Sequence, residues 1–252
     1  MQKTIKEDGT SALRKAIHVF KCFSEEESEL SLSDIANKLG IPLPTASRIL
    51  GTLVEERLLE RNEKTKLYQL GLYCLRLGKI AEESGTLRRC ALPYLERLRN
   101  QFNETANLYI RRGTSRICYA QRETFASLRR SVRIDGTEFT LYAGAGGRCL
   151  LAWAPQDVLE AVLCKMESLT PFTADRETLM KELDETRLKG YAVSYSEREI
   201  GVTAVAAPVF DSPGSVCAAI TLSGPEARFT EEVVAQMIAA IKKTAQELSA
   251  EM

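Results

Sequence analysis

Thr45, Ser47, Arg48 and Thr52 lie on the outward side of an expected helix from about Pro44 to Glu56, and their chemistry suits DNA. Ala46, Ile49, Leu50 and Leu53 of the same stretch recur at core spacing. Small hydroxyl residues beside one arginine fit a helix that enters a major groove. Bulk there would block approach, and a guanidinium can grip two acceptors of guanine or a phosphate. Other chemistries are poorly provided for. The chain has a single histidine, His18, in its first amphipathic segment, so Ser–His–Asp triads, Cys–His pairs and histidine-rich metal sites have no histidine close in sequence. Seven scattered cysteines contain no C-x-x-C pair, which fits reduced thiols. No catalytic residue, metal or cofactor is expected.

The elements that would position the polar helix are legible around it. Ser11 to about Ser24 reads as a first helix with Leu13, Ala16, Ile17 and Phe20 on one buried face. The acidic run Glu25–Glu29 breaks it. Ser31-Leu32-Ser33-Asp34 offers cap chemistry for a second helix that buries Leu32, Ile35, Ala36 and Leu39 and stops at Gly40; Ser33 joins the candidate DNA contacts. Pro44 suits the first turn of the third helix, where a missing N–H costs nothing. Leu58–Arg61, a turn over Asn62–Thr65 and Lys66–Leu70 then form a hairpin wing, from which Lys64 and Lys66 can reach phosphates. The order defines a mainly α winged helix-turn-helix domain over residues 1–71. Residues 72–85 read as a linker helix with Leu72, Leu75 and Ile80 apolar.

Residues 86–252 predict an α+β domain. A long helix carries Leu87, Ala91, Tyr94, Leu95, Leu98 and Phe102. Strands follow at Thr105–Arg111, Ser115–Gln121 and Ala126–Arg133, with a turn at Asp135-Gly136-Thr137. After the bend Gly144–Gly147 come helices through Cys149–Ala152, from Pro155 to Met166 and from Asp175 to Lys189. Strands near Val193, over Val202–Phe210 and Val216–Ser223, and a closing helix Glu231–Glu251 complete a largely antiparallel sheet flanked by helices.

Composition bounds the function classes. The 252 residues hold 34 basic and 34 acidic side chains, 44% hydrophobic and 27% charged, as in an ordinary globular protein of one or two domains. Residues 1–70 hold eleven Lys/Arg against eleven Asp/Glu, so DNA binding must rest on local placement rather than a basic field. No run of eighteen apolar residues and no signal-peptide core is seen, which predicts a cytoplasmic protein without a membrane partner.

Ile41-Pro42-Leu43-Pro44-Thr45-Ala46-Ser47-Arg48-Ile49-Leu50 resembles the turn and recognition helix of the IclR family of bacterial transcriptional regulators, and Lys66–Gly71 resembles its wing exit. Ala145-Gly146-Gly147-Arg148-Cys149-Leu150-Leu151-Ala152 is similar to the family signature A-x-G-K-A-L-L-A. Gly190–Ala192, Glu197–Val202, Ala206–Asp211 and Ile220–Pro225 continue the match in order. The resemblance implies a GAF-like effector domain and a homodimer or dimer of dimers that binds a double-stranded operator. It further implies a small-molecule effector, commonly a carboxylate that relieves repression of a catabolic operon. Carried over by position, the effector site is Leu128, Phe139, Ala145, Gly146, Ser194, Ala204, Thr221 and Ser223.

Physical reasons accompany that mapping. A glycine-rich bend entering a helix exposes N–H donors that favour an anion, although a packing turn is the simpler reading of Gly144–Gly147 taken alone. Thr221 and Ser223 share one face of a strand, and Phe139 supplies an apolar wall. The chain departs from the family pattern at Leu43, where a polar or basic residue is usual, and at Arg148, where lysine is common. Tyr142 stands where some relatives have histidine, and Ser194 and Ala204 where some have an acid and a cysteine. Two other readings compete: a thiol-dependent enzyme using Cys149, and a DNA-binding protein that responds to no ligand.

Overall fold

Local cap chemistry sets the N-terminal helix boundaries. In the computed structural model, which describes residues 9–24, 26–129 and 136–252, α1 spans Gly9–Phe20, α2 Leu32–Leu39 and α3 Leu43–Glu55. Ser31 Oγ accepts the Asp34 N–H at 3.1 Å and the Asp34 carboxylate accepts the Ser31 N–H at 3.0 Å, closing a capping box. Gly40, at φ 62°, ends α2 in the left-handed region, and Pro42 and Pro44 open α3. Ile35, Leu50 and Leu59 are fully buried at the centre of this unit, with Val19, Ile49, Leu53 and Tyr68 around them.

β1 (Leu59–Arg61) and β2 (Tyr68–Leu70) pair antiparallel, Leu59 opposite Leu70. Their connection is an Asx turn: Asn62 Oδ1 accepts the N–H groups of Lys64 and Thr65 at 2.9 and 3.2 Å. The helix-turn-helix and wing are thus present as the sequence predicts. α1, however, turns a different side inward. Val19 is buried, Ala16 and Phe20 are half-buried, and Leu13 and Ile17 are 63% and 49% exposed. Spacing defines an apolar stripe but not which part of it meets the neighbouring helices. α4 (Leu72–Ser84) follows the wing and exposes Leu72, Tyr73, Leu75, Leu77 and Ile80.

The chain divides into two compact units between Ser84 and Gly85. In the second, α5 (Thr86–Phe102) leads into β3 (Thr105–Arg112) and β4 (Ser115–Arg122). The expected strand at 126–133 does not form over 126–129, and 130–133 lie outside the described residues, as does Asp135 of the expected turn. A short strand not foreseen, β5 (Glu138–Thr140), pairs with β4 instead. Then come α6 (Ala145–Leu151), α7 (Gln156–Leu163), α8 (Arg176–Lys189), β6 (Ala192–Tyr195), β7 (Val202–Ser212), β8 (Ser215–Pro225) and α9 (Glu231–Ser249).

One antiparallel sheet of order β5-β4-β3-β8-β7-β6 organises this unit. Strand alternation gives it two differently used faces. Leu108, Val205, Val209, Ile220 and Leu222 point to a core shared with α5 and α9. The opposite parity, including Tyr109, Cys118, Ala204, Ala206 and Ala219, faces α6 and α8. This second face carries polar residues and therefore the site. No helix among the described residues is long and apolar enough to cross a membrane.

Candidate functional site

The polar face of α3 is open. Ser47, Arg48 and Thr52 are exposed and Thr45 is half-buried, while Thr52 Oγ1 donates to the Arg48 carbonyl at 3.2 Å. Residues 45, 48 and 52 follow the three- and four-residue spacing of one helix face. Arg48 carries no ion pair among the described residues. Ser33 is exposed near the start of α2. Lys64 is exposed in the wing turn, and Lys66 is exposed but paired with Glu63 at 3.1 Å.

A second site lies on the polar face of the larger sheet. Ala145, Gly146, Ser194, Ala204, Thr221 and Ser223 line one narrow cleft with about 30 Å³ of free space. The register explains how residues so distant in sequence converge: Ser194 stands opposite Ala204, Ala204 opposite Ser223, and Thr221 opposite Asn107. Phe139 stands behind the lining, edge-on to Tyr109 with ring centroids 6.4 Å apart. Leu128 does not reach the cleft; it is 70% exposed and its carbonyl accepts from Arg228 at 3.1 Å.

The charged members of the lining were not foreseen. Arg116 of β4, Glu197, Arg198 and Glu199 border the cleft with Tyr109. Arg116 is only 3% exposed, with its guanidinium 5.2 Å from the Tyr109 ring centroid. It also lies close under the glycine bend. A Cβ on Gly147 would fall 1.9 Å from Arg116 Nη1 and 2.4 Å from the Leu141 carbonyl oxygen, and one on Gly146 would fall 2.8 Å from the Thr221 methyl. Glycine at these positions lets the bend approach both strands. The floor is a buried amide–hydroxyl network: Gln121 donates to Asn107 Oδ1 at 2.8 Å, and Asn107 Nδ2 donates to Thr221 and Ser223 at 3.4 and 3.3 Å.

The bend offers fewer donors than its glycines suggest. The Gly144 N–H donates to Glu197 Oε2 at 2.9 Å, and the Gly147 N–H to the Gly144 carbonyl at 2.9 Å. Glu197 is fixed in turn by Arg148, 2.9 Å away. Arg148 also pairs with Glu182 and donates to the Val193 carbonyl. Burial raises the Glu197 pKa, while Arg148 and the Gly144 N–H oppose the shift. Arg148 therefore clamps α6 to α8 and to the sheet edge at β6.

Cys149 is fully buried, and burial pushes its thiol pKa up to about 12. A thiolate is disfavoured there. Maleimide at neutral pH is therefore expected to modify exposed Cys164 in the native protein and Cys149 only after unfolding, as read by peptide mass spectrometry. Rapid labelling of native Cys149 would restore the thiol chemistry considered from sequence.

A winged helix-turn-helix with an open polar helix, followed by an α+β unit with a polar cleft, defines a DNA-binding regulator. Comparison with known proteins agrees. The IclR helix-turn-helix domain matches residues 12–63, and the C-terminal domain of the bacterial transcriptional regulator IclR matches residues 81–250. The chain belongs to the IclR family of bacterial transcriptional regulators. It is 31% identical to the HTH-type transcriptional regulator KipR of Bacillus subtilis, over 93% of this chain and 94% of KipR. It is 28% identical to the HTH-type transcriptional repressor AllR of Escherichia coli, over 97% and 91% of the two chains. A similar solved structure is an IclR homolog from Microbacterium hydrocarbonoxydans complexed with 4-hydroxybenzoate. It has a TM-score of 0.82 and 24% identity, covering 96% of this chain and all of that one.

Proposed function

We propose that this protein is a cytoplasmic transcriptional repressor of catabolic genes whose grip on its operator is relieved or otherwise changed by a small organic acid. The observation that carries the ligand half is the convergence of a buried arginine, Arg116, and the hydroxyls of Ser194, Thr221 and Ser223 on one cleft. Cys149 is too buried to supply a nucleophile, which favours sensing over thiol catalysis. The names of AllR, a repressor, and of the 4-hydroxybenzoate complex accord with this reading.

In this reading Thr45, Ser47, Arg48 and Thr52 meet base edges or phosphates, and Ser33, Lys64 and Lys66 hold the backbone. The protein acts as a homodimer or a dimer of dimers. Leu13 and Ile17 of α1 and the five exposed apolar residues of α4 favour covering by a second copy, because an unpartnered apolar surface in water is costly. α4 transmits the ligand's effect by shifting the balance between dimer geometries. Such coupling is typically about 1–3 kcal/mol.

The test is fluorescence anisotropy with a duplex from the promoter beside the protein's own gene, at low ionic strength, against a scrambled duplex. Preferential binding to the promoter that a small carboxylate changes is expected. Equal affinity for both duplexes, unaffected by any acid, would refute the proposal.

A further inference from the structure

We infer that Arg57 and Arg61 form a clamp for the sugar–phosphate strand that passes between α3 and the wing when the protein sits on duplex DNA. This rests on the operator-binding reading above and adds two contacts to it. The two grooves of a duplex are separated by one such strand, so a recognition helix in the major groove and a wing beyond it must straddle that strand. In the protein the same interval is spanned by residues 56–61, from the end of α3 to the wing turn at Asn62.

Both arginines are exposed and have no ion pair among the described residues. They line one open groove with about 540 Å³ of free space, and Arg76 of α4 adds a third cation to it. The acid in that lining is committed elsewhere: Glu60 accepts from the Gln69 side chain at 3.1 Å and from the Leu72 N–H at 3.3 Å. Positive charge is thus gathered here, in a unit whose first seventy residues balance to zero, and a polyanion is held by such local concentration. Arg61 stands opposite Tyr68 in the hairpin, with its guanidinium 5.5 Å from that ring's centroid. The ring holds the guanidinium plane and leaves its N–H edge for a phosphate.

Arg57 carries a second, independent sign. Its φ of 59° lies in the left-handed region, where glycine is favoured at a helix end. The Arg57 N–H donates to the Val54 carbonyl at 3.0 Å and the Leu58 N–H to the Leu53 carbonyl at 2.9 Å, the paired bonds of a Schellman stop. A glycine would close α3 with less strain, so an arginine stands there at some cost to folding. A phosphate contact accounts for that cost.

The experiment is fluorescence anisotropy of the full-length protein on the promoter and scrambled duplexes over a series of salt concentrations. Arg57→Gln and Arg61→Gln are each expected to lower the slope of log affinity against log salt by about 0.9, and the double variant by about 1.8. Both duplexes should lose affinity by the same factor, because a phosphate contact is blind to sequence. Arg61→Lys, which keeps the charge, should keep the slope. Arg57→Gly removes the cation while relieving the backbone, so it should melt no earlier than the unsubstituted protein and still lose the slope. That variant separates a DNA contact from a stabilising role at the helix end. Unchanged slopes in the double variant, or a loss confined to the promoter duplex, would overturn the inference while leaving the operator reading intact. Binding of neither duplex by the unsubstituted protein would sink both.

Discussion

Arg148→Met is expected to lower the unfolding free energy of the C-terminal unit by about 3–5 kcal/mol, the usual cost of removing one partner from a buried ion pair. The arginine side chain is 4% exposed between Glu197, 9% exposed, and Glu182, 33% exposed. Because Glu182 retains some water, the lower part of the range is the better expectation. Stability for domains of this kind is about 5–15 kcal/mol in all, so the change is a large share of it. Urea unfolding followed by circular dichroism measures it, and a shift below about 0.5 kcal/mol would contradict the clamp.

The pH dependence has a definite sign. Burial already raises the Glu197 pKa and Arg148 opposes the rise, so removing Arg148 raises it further. A carboxyl whose folded pKa lies above its unfolded value favours the folded state below the unfolded pKa. That contribution is lost as pH rises through the folded pKa. The deficit of Arg148→Met should therefore be greater at pH 8 than at pH 5. Replacing Glu182 and Glu197 by leucine as well should recover much of the loss, since an apolar substitute leaves no unpaired charge.

Arg48→Ala is expected to weaken binding to the specific duplex by about 1–3 kcal/mol. Arg48 is the one cation on the outward face of α3, exposed and without an ion pair among the described residues. The salt dependence identifies what it touches. If Arg48 grips a phosphate, the slope of log affinity against log salt falls by about 0.9. If it reads guanine, the slope holds and discrimination at one base pair relaxes. Anisotropy titrations at three salt concentrations distinguish these cases, and affinity equal to that of the unsubstituted protein would remove Arg48 from the interface.

What was legible in the sequence follows from how local its cause is. The α2–turn–α3 unit rests on a capping box within four residues, a left-handed glycine and two prolines, all visible in one short stretch. The inward face of α3 was legible because all four of its apolar residues meet the core. On α1 the same reasoning chose Leu13 and Ile17, which are exposed, because an apolar stripe gives no sign of whether a neighbouring helix or a second copy covers it.

The cleft was legible only in part. Six lining residues were found through family motifs. Arg116, Arg198 and Asn107 were not, because their meeting is made by the strand order β4-β3-β8 and by a loop far along the chain. One signal was available for Arg116: it shares the strand parity of Cys118, an inward position where a charged side chain is unusual. Leu128 was carried over by position, yet its segment runs over the surface and the side chain is exposed.

The most direct measurement is the affinity for the promoter duplex, determined with and without a saturating small carboxylate found by thermal-shift screening, together with the reciprocal affinity for that acid with and without duplex. The account predicts equal fold-changes in the two directions, about five- to 150-fold. Tight binding of that acid that leaves the duplex affinity unaltered would show that the cleft and the DNA-binding face are not coupled, contradicting the account.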